Sequence, residues 1–293
     1  MQDSARTLMT DVRDFSAPLM TNPALREPTG TAPVGRNASL RSLMVPAQNL
    51  LLAALPSEVL DRLIPNLEPV AMPLGKVIYE SGVELKHVYF PVSGCIVSML
   101  YVMEDGSSAE IAVVGDEGVV GFALFMGGGT TPSRALVQSA GDGWRLEAKA
   151  LRQEFSRHGS LQFLLLRYTL ALITQMSQTA VCNRQHSLEQ QLCRWLLLSQ
   201  DRLPTNQLTM TQELIANMLG VRREGVTAAA GKLQTGGLIR YSRGRITIID
   251  RPGLEALVCE CYAVVKKEYE RLLPPYCCAP GAYTSRFSLK AKK

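Results

Sequence analysis

The sequence is poor in the residues from which enzymes and metal proteins are usually built. It has three histidines, His87, His158 and His186, in 293 residues. With no evident pairing of a nucleophile and a base, hydrolytic chemistry has little support, and an enzyme is not expected. A disulfide framework is also missing. Seven cysteines (Cys95, Cys182, Cys193, Cys259, Cys261, Cys277 and Cys278) are scattered along the chain with no secretory signal. An odd count of this kind fits reduced thiols in the cytoplasm. Cys259-x-Cys261 and Cys277-Cys278 lack the two-residue gap of zinc sites and have no histidine close in sequence, so they read as ordinary thiols and no metal is expected. Long hydrophobic runs are absent too. The longest apolar stretch, residues 161–173, is cut by Arg167 and is too short to span a bilayer, so no membrane partner is expected. Gly127-Gly128-Gly129 lacks the following Gly-Lys-Ser/Thr of a phosphate loop and reads as an ordinary loop.

What is present describes a folded protein of two or three domains. Hydrophobic residues make up 46% and charged residues 19%, which excludes a disordered tail or a fibrous repeat. Lys and Arg number 31 against 26 Asp and Glu, an excess that bears on a nucleic-acid partner only where it is concentrated. Residues 1–48 read as a poorly ordered arm, and Asp3, Asp11, Asp14 and Glu27 argue against a transit peptide. The folded part starts after Asn49, where Leu51, Leu52, Leu55, Val59, Leu60, Leu63 and Ile64 recur at helical spacing.

From residue 69 to about 147 the pattern turns to short β-rich runs: residues 77–79, 87–92, 95–103, 110–114 and 135–139. They are divided by turn signals at Gly75, Ser81-Gly82, Ser93-Gly94, Asp105-Gly106 and Gly115. This predicts a small antiparallel barrel or roll over residues 49–158. A long helix follows over residues 159–187, with Phe163, Leu166, Leu170, Ile173, Ser177, Ala180 and Arg184 at alternating spacings of three and four. That is an a/d seam. It suits pairing with a second copy of the chain, or packing of the helix on its own barrel. A second helix, residues 188–199, opens a domain that extends to 262 and leaves 263–293 as a C-terminal extension.

The most informative stretch is 209–250. Thr209, Thr211, Gln212 and Glu213 mark a helix start, Leu214, Ile215, Met218 and Leu219 form its apolar stripe, and Gly220 permits a sharp turn. In the next helix Val226, Ala229, Ala230 and Leu233 make one face, leaving Arg222, Arg223, Glu224 and Thr227 at its exposed start. A recognition helix needs this layout, because its N-terminal residues lie nearest the base edges of the major groove. An Arg fork pairs with guanine and a carboxylate accepts from cytosine. Residues 238–249 then read as a β-hairpin, a wing, whose Ser242-Arg243-Gly244 turn and Arg245 suit phosphate. Seven Lys or Arg, Lys232 among them, face three acids between Leu203 and Arg251. Most of the chain's positive excess therefore lies where double-stranded DNA would sit.

Thr-x-Glu-x-x-Ala-x-x-x-Gly (Thr211 to Gly220), Arg-Arg-Glu-x-Val (Arg222 to Val226) and Gly-Leu-Ile (Gly237 to Ile239) together resemble the winged helix of the Crp/Fnr transcription regulators. Upstream, Val-Tyr-Phe-x-x-x-Gly-Cys-Ile-Val (Val88 to Val97) and Gly115-Asp-Glu-Gly118 fall where that family has its cyclic-nucleotide-binding-like roll. The resemblance covers about residues 49–262. It implies an α+β chain: an N-terminal antiparallel β-roll of the double-stranded β-helix or jelly-roll kind, a long dimerisation helix and a C-terminal winged helix-turn-helix. By the same resemblance the protein is a homodimeric bacterial regulator on a palindromic operator, Arg223 and Glu224 read bases, and RNA polymerase is a partner where the outcome is activation.

The sensory half departs from the family pattern. The resemblance sets Asp116, beside Glu117, where nucleotide binders carry a ribose-binding Glu, and it sets Ser133-Arg134 in place of their Arg-Ser. An Arg moved one position along a strand points to the opposite face and does not reach the phosphate. Cyclic nucleotide is therefore not assigned as the effector, and a pocket altered for another ligand, or with none, stands ahead of it. The other class of reading keeps the fold as a ligand-binding or protein-docking module without DNA. Against it, a docking surface has no need of Arg222, Arg223 and Glu224 at one helix start.

Overall fold

The computed structural model describes residues 46–92 and 94–273; the 1–45 part of the arm, Cys277, Cys278 and the tail beyond 273 lie outside the described residues. Two short helices, α1 (Leu50–Ala53) and α2 (Ser57–Leu63), lead into the roll. Asn49 starts the first of these. Its side-chain oxygen accepts from Leu51 N and Leu52 N, and its amide donates to the carbonyls of Pro91 and Gly118, so one buried side chain joins the cap to two roll segments.

Seven strands build the roll: β1 (Leu67–Met72), β2 (Val77–Tyr79), β3 (His87–Pro91), β4 (Ile96–Val102), β5 (Ser108–Val114), β6 (Arg134–Ser139) and β7 (Gly141–Glu147). They form two antiparallel sheets, ordered β1-β7-β3 and β2-β6-β4-β5. The sequence pattern misses β1 and β7. Pro69 interrupts the first, and Gly141 and Gly143 dilute the second. A Cβ on Gly143 would lie 2.6 Å from Met72 Sδ and 3.0 Å from the Phe90 carbonyl, so this strand centre has glycine because its two neighbours close over it.

Helix α3 (Ala148–Phe155) leads to the long α4 (Ser160–Gln185). One face of α4 buries Leu161, Leu164, Leu165, Tyr168 and Leu172 in the roll's core. The close approach is written into the Gly115-Asp-Glu-Gly118 turn. Tyr168 Oη donates to the Val119 carbonyl at 3.1 Å, and a Cβ on Gly118 would sit 2.6 Å from that hydroxyl.

The C-terminal part consists of α5 (Leu188–Gln200), β8 (Gln207–Thr209), α6 (Gln212–Leu219), α7 (Arg223–Thr235), β9 (Ile239–Ser242), β10 (Arg245–Ile248), α8 (Arg251–Leu257) and α9 (Glu260–Leu272). Ser187 and Gln190 make a reciprocal capping box at the start of α5. The boundary expected at 262 falls inside α9, which continues to Leu272 and packs along α4. Gln175 Nε2 donates to Tyr269 Oη at 2.9 Å, and the Tyr168 and Tyr269 rings meet edge-on at 6.5 Å. Cys261, Tyr262, Val265 and Leu272 supply the buried face, a spacing that a shorter reading of the chain end overlooks.

The two halves share a core. Ile96 and Val113 of the roll are buried in the cluster of Leu192, Trp195, Leu196 and Ile215. A buried polar chain runs beside it: Ser98 Oγ donates to Gln138, and Gln138 donates to Ser199 Oγ of α5.

Candidate nucleic-acid interface

Thr211 caps α6 by accepting from Leu214 N, and Gly220 ends the helix at φ 65°, a left-handed conformation that glycine adopts without a Cβ penalty. The chain then turns into α7 with Arg222 at its N-cap. Val226, Ala229, Ala230 and Leu233 are buried, as their spacing requires. Arg222, Arg223 and Glu224 are exposed at the helix start. The wing turn has Arg243 at φ 49° and Gly244 at φ 74°, the pair of positive angles that a two-residue hairpin turn of the primed type needs. Tyr241 holds the wing against the domain by donating its hydroxyl to the Met210 carbonyl at 2.9 Å. A third strand, β8, which the sequence reading passed over, pairs with β10 and fixes the hairpin's direction.

These elements enclose an open cleft of ≈ 440 Å³ lined by Thr211, Gln212, Arg223, Tyr241, Arg243 and Gly244, among others. It joins the N-terminal end of α6, whose positive dipole end is partly offset by Glu213 in the first turn, to the first turn of α7 and the wing tip. Gln212 and Thr227 are joined by a hydrogen bond from Thr227 Oγ1 to Gln212 Oε1 at 2.8 Å. Lys232 departs from the expected contact surface. It sits in the last turn of α7, remote from the helix start, and forms an ion pair with Glu189 of α5, so it ties the recognition helix to its support. Position along the helix decides this, and the charge count alone does not show it.

The expected effector residues carry other duties. The Asp116 carbonyl accepts from Leu50 N, and Glu117 pairs with Arg202 just after α5, at 2.7 Å. Ser133 is buried against Thr131 Oγ1 at 3.0 Å. Arg134 lies on the face of β6 opposite Ala135 and Val137, which enter the roll's core, and it pairs with Glu80 at 3.0 Å. Glu117 and Arg134 are thus engaged in separate ion pairs, with Arg202 and Glu80, and do not face one ligand as a pair.

On α4, Phe163, Leu166, Leu170, Ile173, Ser177 and Ala180 are all exposed and lie on the side opposite the buried stripe. Phe163 is 64% exposed and Ile173 50%, so the seam does not pack on its own roll. Among the described residues no helix is long and apolar enough to cross a membrane. The ground on which a metal was not expected also fails: the fold brings His186 of the α4 end, with Cys182, to Cys259 and Cys261.

Residues 69–158 match the family model of the cyclic nucleotide-binding domain, and residues 190–257 match that of the Crp-like helix-turn-helix domain. The chain belongs to the Crp/Fnr transcription regulators. Solved structures agree on the fold. A putative regulator of the Crp/Fnr family from Eubacterium rectale is 22% identical with a TM-score of 0.55, covering 71% of this chain and 96% of its own. FixK2 from Bradyrhizobium japonicum is 18% identical with a TM-score of 0.56, covering 66% and 98%. A Crp-family regulator from Thermus thermophilus is 20% identical with a TM-score of 0.54, covering 64% and 95%. No curated protein matches the chain. This Crp/Fnr-type regulator is therefore a DNA-binding transcription regulator and not an enzyme.

Proposed function

We propose that the regulator acts as a homodimer on a palindromic operator, with Arg223 and Glu224 reading base edges and Thr211, Gln212, Arg222, Arg243 and Arg245 placing the phosphate backbone. The observation that carries this reading is the convergence on one cleft of the α6 N-terminus, the charged start of α7 and the basic wing tip. Thr227 braces Gln212 from the adjoining turn. The exposed α4 seam supplies the dimer contact, which sets two recognition helices about one DNA turn, roughly 34 Å, apart. Control enters through the roll. A signal that shifts the roll shifts α4 and α5 with it, because Tyr168 packs α4 into the roll's core while Ile96 and Val113 pack the roll against α5, and the separation of the recognition helices follows. The engaged state of Arg134 with Glu80, and of Glu117 with Arg202, favours a signal that does not rely on Arg134 to hold an anionic group.

Selection of binding sites from random duplex DNA by the full chain at near-physiological salt, with and without cyclic AMP, tests the proposal. A palindromic motif enriched in both arms is the expected result. Enrichment only with cyclic AMP would overturn the effector reading while keeping the dimer and operator. A motif without two-fold symmetry would overturn the homodimer on a palindrome.

A further inference from the structure

Cys182, His186, Cys259 and Cys261 come from three places in the chain: the last turn of α4, the residue just after it, and the start of α9. Their candidate ligand atoms all lie within 4.8 Å of one another. Cys182 Sγ and Cys259 Sγ are 3.6 Å apart, and Cys261 Sγ is 3.6 Å from His186 Nδ1. A tetrahedron with zinc–sulfur bonds of about 2.3 Å has edges near 3.8 Å, so these two edges are already closed and the longest needs to shorten by about 1 Å. All three cysteines are free and buried.

We propose that these four side chains form a Cys₃His site for a tetrahedral divalent ion of the zinc type. Cys182 and His186 stand four residues apart and so project from the same side of the chain as it leaves α4. Cys259 is the N-cap of α9 and Cys261 lies in its first turn, so one helix start presents both thiols to Cys182 and His186. The surroundings match what a metal-bound imidazole needs. His186 Nε2, the nitrogen away from Cys261, lies 3.4 Å from Glu260 Oε2, which orients the ring with Nδ1 toward the cysteines. Gln191 Nε2 donates to the His186 carbonyl at 2.9 Å and holds the backbone there. Three thiolates around a divalent ion leave one net negative charge. Arg194, 4% exposed, lies beside Cys182, and its Nε has no hydrogen-bond partner, so a positive charge is already in place. On binding, each thiol gives its proton to solvent. The ion would tie the end of the long helix to α9 across the His186–Ser187 joint between α4 and α5, so that the joint's angle depends on metal occupancy. The inference stands apart from the operator reading, because its test measures bound metal and not DNA.

The experiment uses the full chain purified under reducing conditions, supplied with Zn²⁺ and desalted, with elemental analysis, and a parallel Co²⁺ form examined by visible absorption. Expected are about one zinc ion per chain and, for cobalt, the intense ligand-field bands of a tetrahedral site with thiolate-to-cobalt charge transfer. The double variant Cys259→Ser/Cys261→Ser should lose both, whereas Cys95→Ser and Cys277→Ser/Cys278→Ser should keep both. Wild-type protein that holds no zinc and gives only a six-coordinate cobalt spectrum would overturn the site. So would full metal content in the Cys259/Cys261 variant, or loss of it in the Cys277/Cys278 variant. Should the Cys259/Cys261 variant fail to fold, the wild-type cobalt spectrum decides alone, since its charge-transfer intensity reports the sulfur ligands directly.

Discussion

At the scale of single residues, the two kinds of arginine on the proposed DNA face are expected to behave differently. Arg223 stands at the start of α7, where the proposal has it reach a base edge, and Arg243 stands at the wing tip. Arg223→Ala should lose about 1 to 3 kcal/mol on operator and relax preference at one base pair, whereas Arg243→Ala should weaken all sequences alike. Titration on operator and random duplex checks this, and equal losses on both DNAs for both variants would remove the assigned roles. Buried residues give further tests. Gly118 has Tyr168 Oη and Val114 Cγ1 within 2.8 Å of where a Cβ would stand, so Gly118→Ala should cost about 1 to 3 kcal/mol in denaturant unfolding. Glu110 is buried where the roll meets α5, and burial pushes its carboxyl from 4.5 up to about 7, against the opposing effects of the Ser98 hydroxyl and of Arg194 and Arg202. The folded chain therefore holds this proton more tightly than the unfolded chain, so its contribution to stability falls as pH rises from 4.5 to about 7. Glu110→Gln should flatten the fall, as read from thermal midpoints across that window; an unchanged slope would contradict it.

At the scale of elements, legibility followed the range of the interactions involved. The wing turn was readable because Arg243-Gly244 sets its own backbone, and α7 because its apolar spacing needs nothing from elsewhere. Strand β7 was not, since Gly143 is explained only by Met72 and Phe90 on the strands beside it. Helix α9 went unread for the same reason: Tyr262, Val265 and Leu272 find their cover on distant elements. The Cys and His cluster is the extreme case, with Cys182 and Cys259 separated by 77 positions and brought together by α4 and α9. The α4 seam was legible as a pattern, and the structure shows that its own chain leaves it uncovered. Replacing Leu170 by Glu should place a charge in the middle of the proposed dimer contact. Sedimentation should then show a shift to the single chain, with weaker operator binding and an unaltered circular dichroism spectrum. A variant that stays dimeric would place the contact elsewhere.

At the scale of the whole molecule, the roll and the DNA-binding part are less separate than two family matches in sequence suggest. Besides the shared cluster around Ile96 and Val113, a Cβ on Gly220 in the helix-turn-helix turn would sit 3.3 Å from Ala109 Cβ on β5, so the roll touches the turn itself. Scanning calorimetry of the full chain should show one transition, and two well-resolved peaks would argue against this coupling. The buried apolar faces at Ile96 and Val113 also bear on how the protein can be divided. A cut at the joint after α4 does not yield two finished pieces: the released C-terminal fragment carries an open socket where two side chains of the other half belonged, and the remaining roll carries the matching plugs bare in water. Such fragments should associate with each other or precipitate, so the molecule can be dismantled on paper into sensor and reader, but in solution each half is the missing wall of the other.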